Sequence, residues 1–287
     1  MFIVKNKVFF IGLAVALVLA SLFSVKYYGI KKGIDFTGGT VVEISVATST
    51  VFGIDLASFE DKGIKAYKVG EYGYKFISAA PYEETNREIQ SSLAGLSYTE
   101  TQVNVVGPTL GKEMTKKAAI AIVVVVLAIL AFIAFAFREV SYPVASWKYG
   151  VAAMITIVHD IIIPTGVYAY LSHAYGAEID TLFVVALLTV MAVTISDKIV
   201  VFDRIRENLK TSKGAFEDII GMSLKQTAVR SVNTSLTTVL ALVALYIWGP
   251  DMTKFFSLTL LVGLVVGTYS SIFVASPLLT YLVGKKR

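Results

Sequence analysis

Six stretches of this sequence are apolar over a length that can cross a lipid bilayer, near residues 8–26, 118–137, 149–171, 181–202, 231–248 and 255–283. No other feature limits the fold so strongly. A segment in hydrocarbon must satisfy its own backbone hydrogen bonds, so runs of this length are read as membrane-spanning helices. Composition agrees: 55% of the 287 residues are hydrophobic and 16% charged, where a soluble domain carries about a quarter charged. The first run, Val8 to Val25, is long for a signal-peptide core and ends in no small-residue cleavage site, so it reads as a retained anchor. The sixth is long and is expected to tilt or break near Pro277.

A wide polar gap follows the first span, and the other five then follow closely. The expected divisions are 1–27, an N-terminus and first helix; 28–115, a folded domain; and 116–287, helices two to six. Cations flank one side of the array: Lys5, Lys7, Arg138, Lys148, Arg204, Arg206, Lys210, Lys213, Lys225 and the closing "GKKR". The opposite loops hold none in "SHAYGAEID" and one in "GPDMTK". The cation bias predicts a multi-pass protein of the cytoplasmic membrane with both termini cytoplasmic and the 28–115 domain outside. The net charge of +5 is thereby a matter of orientation, and no nucleic-acid partner is read from it.

Within the domain, "TVVEISV" alternates as a strand and "VFGIDLASFEDKG" reads as a short helix. "IKAYKVG" and "YKFISAA" flank the hairpin signal "EYG". "PYEETNREIQSSLAGL" has the proline, early glutamates and late glycine of a helix, and "TETQVNVVGP" is a strand stopped by Pro108. The order βαββαβ is the ferredoxin-like α+β pattern. The fold class expected is thus an α-helical bundle of six transmembrane helices with one small extracytoplasmic domain between helices 1 and 2.

The stretch "KKGIDFTGGTVVEI" invites a phosphate-loop reading. Such loops need a lysine and hydroxyl pair after the glycines, or a helix, whereas "TGGT" runs into a strand. It is read instead as a junction between membrane and domain, built from Gly33, Asp35, Gly38 and Gly39. Asp35 is placed there as a cap or ion-pair acid, toward Lys31, Lys32 or a partner chain. Gly107, Pro108 and Gly111 form a matching junction in "VVGPTLGKEMTKKA", and the two are expected to pack together.

Ionisable residues inside spans point to function. In "LLTVMAVTISDKIVVFDRIREN", Lys198 suits a side chain that snorkels to the interface. Asp197 is too short to do so and is read as functional. In "AVRSVNTSLTTVL", Arg230, Asn233, Thr234, Thr237 and Thr238 fall on one helical stripe, which must face protein or water. Arg230 also fits a plain interfacial anchor. Counted from Leu182 and Trp248, Asp197 and Arg230 lie ~22 and ~27 Å deep. They can therefore meet in the inner third of the membrane, and a carboxylate whose distance from a guanidinium changes can take up and release a proton. His159 and Asp160 sit mid-span beside Pro164. Neighbours on a helix do not face each other, so interhelical hydrogen bonding is favoured over a preformed relay. The small residues of "GLVVGTYSSIFVASP" suit close helix packing. With no cysteine, two histidines and no nucleophile–base set, no enzyme, metal site or cofactor is expected.

"GIDFTGG", "VGPTLGKE", "HD", "ISDKIVVFDRIREN", "RSVNTSLTT" and "GTYSSIFVASP" occur in this order. Together they resemble the SecF branch of the SecD/SecF family, within the RND superfamily, along essentially the whole chain. The resemblance implies pairing with a SecD-like subunit beside the SecYEG channel. It implies preprotein export driven by the proton motive force, with the proton pathway on Asp197 and Arg230 and a further acid from the partner. It also implies that Gly33 to Thr40 is the joint passing helix movement to the domain. His159, Asp160, Lys198, Asn233, Thr234 and Thr237 are candidate accessory polar groups within the membrane, and membrane lipid is itself an expected partner. The family pattern has Asn–Asp and then a small hydroxyl residue, where this chain has Ser196–Asp197–Lys198. Lys198 then faces the lipid boundary or pairs with a partner acid and alters the coupling ion, H+ or Na+. Two other readings stand beside this one: a passive scaffold for the Sec channel, and an RND-like transporter half for a small molecule or lipid.

Overall fold

The computed structural model describes residues 2–46, 54–137, 144–212 and 214–283. Arg138, Lys213, the 284–287 tail and the first residues of the expected "VFGIDLASFEDKG" helix lie outside them. The chain forms two compact units: Met1–Lys31, Ala121–Ala177 and Leu182–Arg287 in one, Lys32–Ile120 and Glu178–Thr181 in the other.

The smaller unit has strands β1 (Gly39–Val46), β2 (Ile64–Val69), β3 (Gly73–Ser78) and β4 (Tyr98–Val106). They form one antiparallel sheet in the order β2-β3-β1-β4. A short helix at Ala57–Glu60 precedes β2, and another at Tyr82–Ser92 precedes β4. Alternation along the central strands sends Val42, Ile44, Tyr74 and Phe76 to one face, where Phe59, Ile64, Ile89 and Leu93 cover them. Burying each such side chain contributes roughly 1.5–3 kcal/mol. On the strands' partly exposed side, Glu43 and Lys75 face each other across the ladder at 3.3 Å.

The larger unit is helical. Six helices are long and apolar enough to cross a membrane. They are α1 (Lys7–Tyr28), α2 (Pro108–Ala136), α3 (Ser146–Tyr175), α4 (Thr181–Thr211), α5 (Phe216–Trp248) and a sixth in two parts. Those parts are α6 (Asp251–Ser270) and α7 (Ser276–Val283), joined by a π-helical turn at Ser271–Ala275. Pro277 explains the turn. Its ring displaces the carbonyl four residues back and it has no N–H to offer, so the preceding turn widens. The break expected near Pro277 therefore falls just before it. One boundary differs from expectation: the second spanning helix starts at Pro108, ten residues before the apolar run, with proline at its first position.

Candidate functional site

Three helices of the larger unit bring a charged cluster together: α3, α4 and α6. Asp160 on α3 and Lys198 on α4 are fully buried, and His159 nearly so. The Lys198 ammonium donates to Asp160 Oδ2 at 2.5 Å and to the Thr194 carbonyl at 3.4 Å. His159 Nδ1 lies 3.0 Å from Asp160 Oδ1, and the Ser270 hydroxyl of α6, which donates to the Gly267 carbonyl at 3.0 Å, lies within reach of the same carboxylate. Gly267 lets α6 come this close. A β-carbon there would collide with Thr194 and lie 3.6 Å from Asp160 Oδ2. His159 Nε2 and the Thr194 hydroxyl are buried with no hydrogen-bond partner.

Two expectations are corrected here. Lys198 does not snorkel to the interface. Its flexible stem carries the ammonium inward, and a buried charge stays buried only when paired. His159 and Asp160, though adjacent in sequence, do touch, because in apolar surroundings polar groups bond to whatever partner they can reach. Pro164 adds to the polarity of the place, having no N–H for the Asp160 carbonyl four residues before it.

Asp197 is half-buried and lies within Coulombic range of Lys198 in this cluster, with no ion pair between them among the described residues. On α5, Ser235 is within hydrogen-bonding reach of its carboxylate and Arg230 within Coulombic range. No ion pair joins Asp197 and Arg230 among the described residues. The Ser235 hydroxyl also accepts from Thr268 on α6 at 2.6 Å. Arg230 is exposed on the rim of a groove of about 330 Å³ that Asp203, Arg204, Glu207, Gln226 and Thr227 also line. Asn233, Thr234, Thr237 and Thr238 continue along the exposed face of α5. Ser235 and Thr268 were missed in the sequence, since single hydroxyls inside spans carry no signal until their neighbours are known. Among the described residues, no group of three or more acids and histidines could hold a metal ion.

In the smaller unit, Asp35 accepts two hydrogen bonds from Thr181, one from its backbone N–H at 2.9 Å and one from its hydroxyl at 2.6 Å. Thr181 is the first residue of α4. Asp35 is thus a cap for a distant helix start, and neither Lys31 nor Lys32 is its ion-pair partner among the described residues. Gly33 supports the same loop by donating to the Ile179 carbonyl at 2.8 Å. The two glycine junctions do meet: a β-carbon on Gly38 would lie 2.7 Å from Pro108 Cα, and one on Gly111 2.7 Å from Gly38 N. Asp35→Ala is expected to cost about 1 kcal/mol, as cap removals do, and to raise amide exchange at Thr181 about fivefold. Unchanged exchange there would show that the cap is not used.

The family described as "Protein export membrane protein SecD/SecF, C-terminal" matches residues 86–285, and the "SecD/SecF GG Motif" matches 28–50. The protein translocase subunit SecF of Thermobaculum terrenum is 38% identical, over 96% of this chain and 92% of the relative. That of Vibrio alginolyticus is 33% identical, over 95% and 86%. Among solved structures, SecDF from Thermus thermophilus, titled a translocon-associated membrane protein, superposes with a TM-score of 0.81 at 32% identity. It is matched over 96% of this chain but 37% of its own, so this chain spans little more than a third of that longer protein. A SecDF structure in a super-membrane-facing form gives 0.68 at 30% identity.

Proposed function

The chain belongs to the SecD/SecF family of protein-export membrane proteins, as a SecF-type translocase subunit, and from this premise we propose that it couples proton movement to late-stage preprotein export. The observation that carries the proposal is Asp197, a half-buried carboxylate inside a spanning helix, with Lys198 beside it and Ser235 and Arg230 as its polar neighbours on α5. A carboxylate is kept in such a place at a cost, and reversible protonation is the chemistry that the place allows.

The partner is a SecD-like subunit that supplies a further acid. Support comes from α5, whose exposed face carries Arg230, Asn233, Thr234 and Thr237. The Thr237 hydroxyl donates to the Thr234 carbonyl of its own helix at 2.8 Å, but the Asn233 amide would go unsatisfied in lipid, and a second helix bundle would satisfy it. Replacing Asn233 by leucine is expected to weaken recovery of the partner about threefold, from one lost interhelical hydrogen bond. Undiminished recovery would remove α5 from the interface.

In this reading the smaller unit is a ferredoxin-like domain outside the membrane. The βαββαβ order and the β2-β3-β1-β4 sheet support it. Both termini lie in the cytoplasm, and the domain handles a preprotein emerging from a SecYEG channel. Gly33 to Thr40 is the joint between helices and domain, with Asp35 holding position there.

The test is co-purification with a SecD-like chain, followed by preprotein export from reconstituted vesicles with and without a proton gradient. The expected result is co-purification and export that rises with the gradient. Export indifferent to a proton gradient but responsive to sodium would change the coupling ion. Export indifferent to both would leave a passive scaffold.

A further inference from the structure

We propose that Asp160 is a positioning residue that holds the Lys198 ammonium away from Asp197, and so keeps Asp197 free to exchange its proton. The proposal rests on reading Asp197 as the proton-carrying acid.

The argument begins with chain order. Asp197 and Lys198 are consecutive on α4, a mid-membrane acid followed directly by a mid-membrane cation. A lysine stem is long and flexible, and its ammonium is a strongly hydrated point charge. In apolar surroundings it needs a counter-charge, and the acid nearest in sequence is its neighbour. An Asp197 ion-paired to Lys198 would have its carboxylate state fixed by a residue of its own helix. The structure avoids this. Lys198 reaches across to α3, to Asp160 Oδ2 at 2.5 Å.

Asp160 is built as a receiver. It is fully buried, its second oxygen is held by His159 at 3.0 Å, and the Ser270 hydroxyl of α6 lies within reach of it while donating to the Gly267 carbonyl. The charges facing Lys198 are therefore Asp160, with His159 beside it, and Asp197 on its own helix. Those facing Asp197 are Lys198 and, from α5, Arg230, with the Ser235 hydroxyl between helices. Removing Asp160 leaves Asp197 as the acid within reach of a stranded ammonium. Removing Lys198 leaves Asp160 with His159 and Ser270, and Asp197 with its α5 partners unchanged.

A pair serving only to hold helices together would be equally sensitive at both ends. The positioning role is one-sided. Three variants of the full chain, reconstituted with its partner, separate the two: Asp160→Asn, Lys198→Gln, and the double variant. Gradient-driven export is one readout. The other is mass-spectrometric labelling of Asp197 by dicyclohexylcarbodiimide, which attacks protonated carboxyls in apolar surroundings. The expected result is a tenfold or greater loss of export and labelling in Asp160→Asn, with both within about twofold of the parent in Lys198→Gln and in the double variant. Loss in Lys198→Gln equal to that in Asp160→Asn overturns the proposal, as does normal export by Asp160→Asn. If Asp160→Asn does not assemble, the Lys198→Gln result decides alone: retention supports the proposal and loss overturns it. Labelling also separates this proposal from its premise. Labelling that falls in Asp160→Asn and returns in the double variant supports the positioning role even if Asp197 proves dispensable for export.

Discussion

Asp197→Asn is expected to reduce export to the level seen without a proton gradient, while the chain still assembles with its partner. Asparagine has nearly the same shape as aspartate and can still bond Ser235, which lies within reach of the native carboxylate. Packing on α4 is therefore little disturbed, and the change in stability stays within about 1 kcal/mol. What is lost is the carboxyl that can take up and release a proton there. Asp203→Asn is the matched control, since that carboxylate lies about two turns further along α4 on the rim of an open groove. The measurement is initial export rate in vesicles across a range of imposed gradients. A parent-like dependence on the gradient in Asp197→Asn would sink the proton-coupling reading and favour the scaffold.

The architecture was legible wherever one physical rule acts alone. Hydrocarbon selects long apolar runs, so six spanning helices could be counted from the sequence. A half-buried sheet selects alternation, so β1 and the β2–β3 hairpin could be placed. Boundaries failed where helix and lipid exposure part company. The apolar run near residue 118 begins where lipid would, but helix α2 begins at Pro108. Between them, Glu113 and Lys117 form an i,i+4 ion pair at 2.8 Å, a helix signal that hydropathy does not weigh. α4 likewise runs on through charged residues to Thr211.

The candidate site was half legible for a related reason. Depth follows from counting residues along a helix, so Asp197 and Arg230 could be set at similar levels. Pairing between helices depends on how each is rotated about its axis, and no count along the chain supplies that. Lys198 and Asp160 lie 38 residues apart, and their union needs α3, α4 and a side-chain-free Gly267 on α6 in one phase. The Asp35–Thr181 cap spans 146 residues and was hidden in the same way, although an acid in a glycine-rich junction was a fair sign that something there needed capping.

Gly39→Val is expected to unfold β1 and with it the smaller unit. Gly39 has φ +139°, a conformation that side chains rarely adopt, and a β-carbon there would collide with the carbonyl oxygen of Ser78. Backbone strain of about 1–3 kcal/mol adds to overpacking of about 1–3 kcal/mol. Together these approach the whole stability of a small domain. β1 cannot slip to escape. A shift of one residue would turn Val42 and Ile44 out of the core and bring Glu43 in. Nor can the junction move aside, because Gly38 has φ +77° and sits hard against Pro108, where α2 begins. Gly107→Ala is the neighbouring control: nothing lies within 4 Å of its added β-carbon, and its φ is not positive. Amide exchange along β1 and limited proteolysis of the smaller unit measure the outcome. Gly39→Val should lose protection throughout β1, and Gly107→Ala should keep it. Intact protection in Gly39→Val would mean that the paired glycines are not demanded by packing, and that their place in the joint must be explained by motion instead.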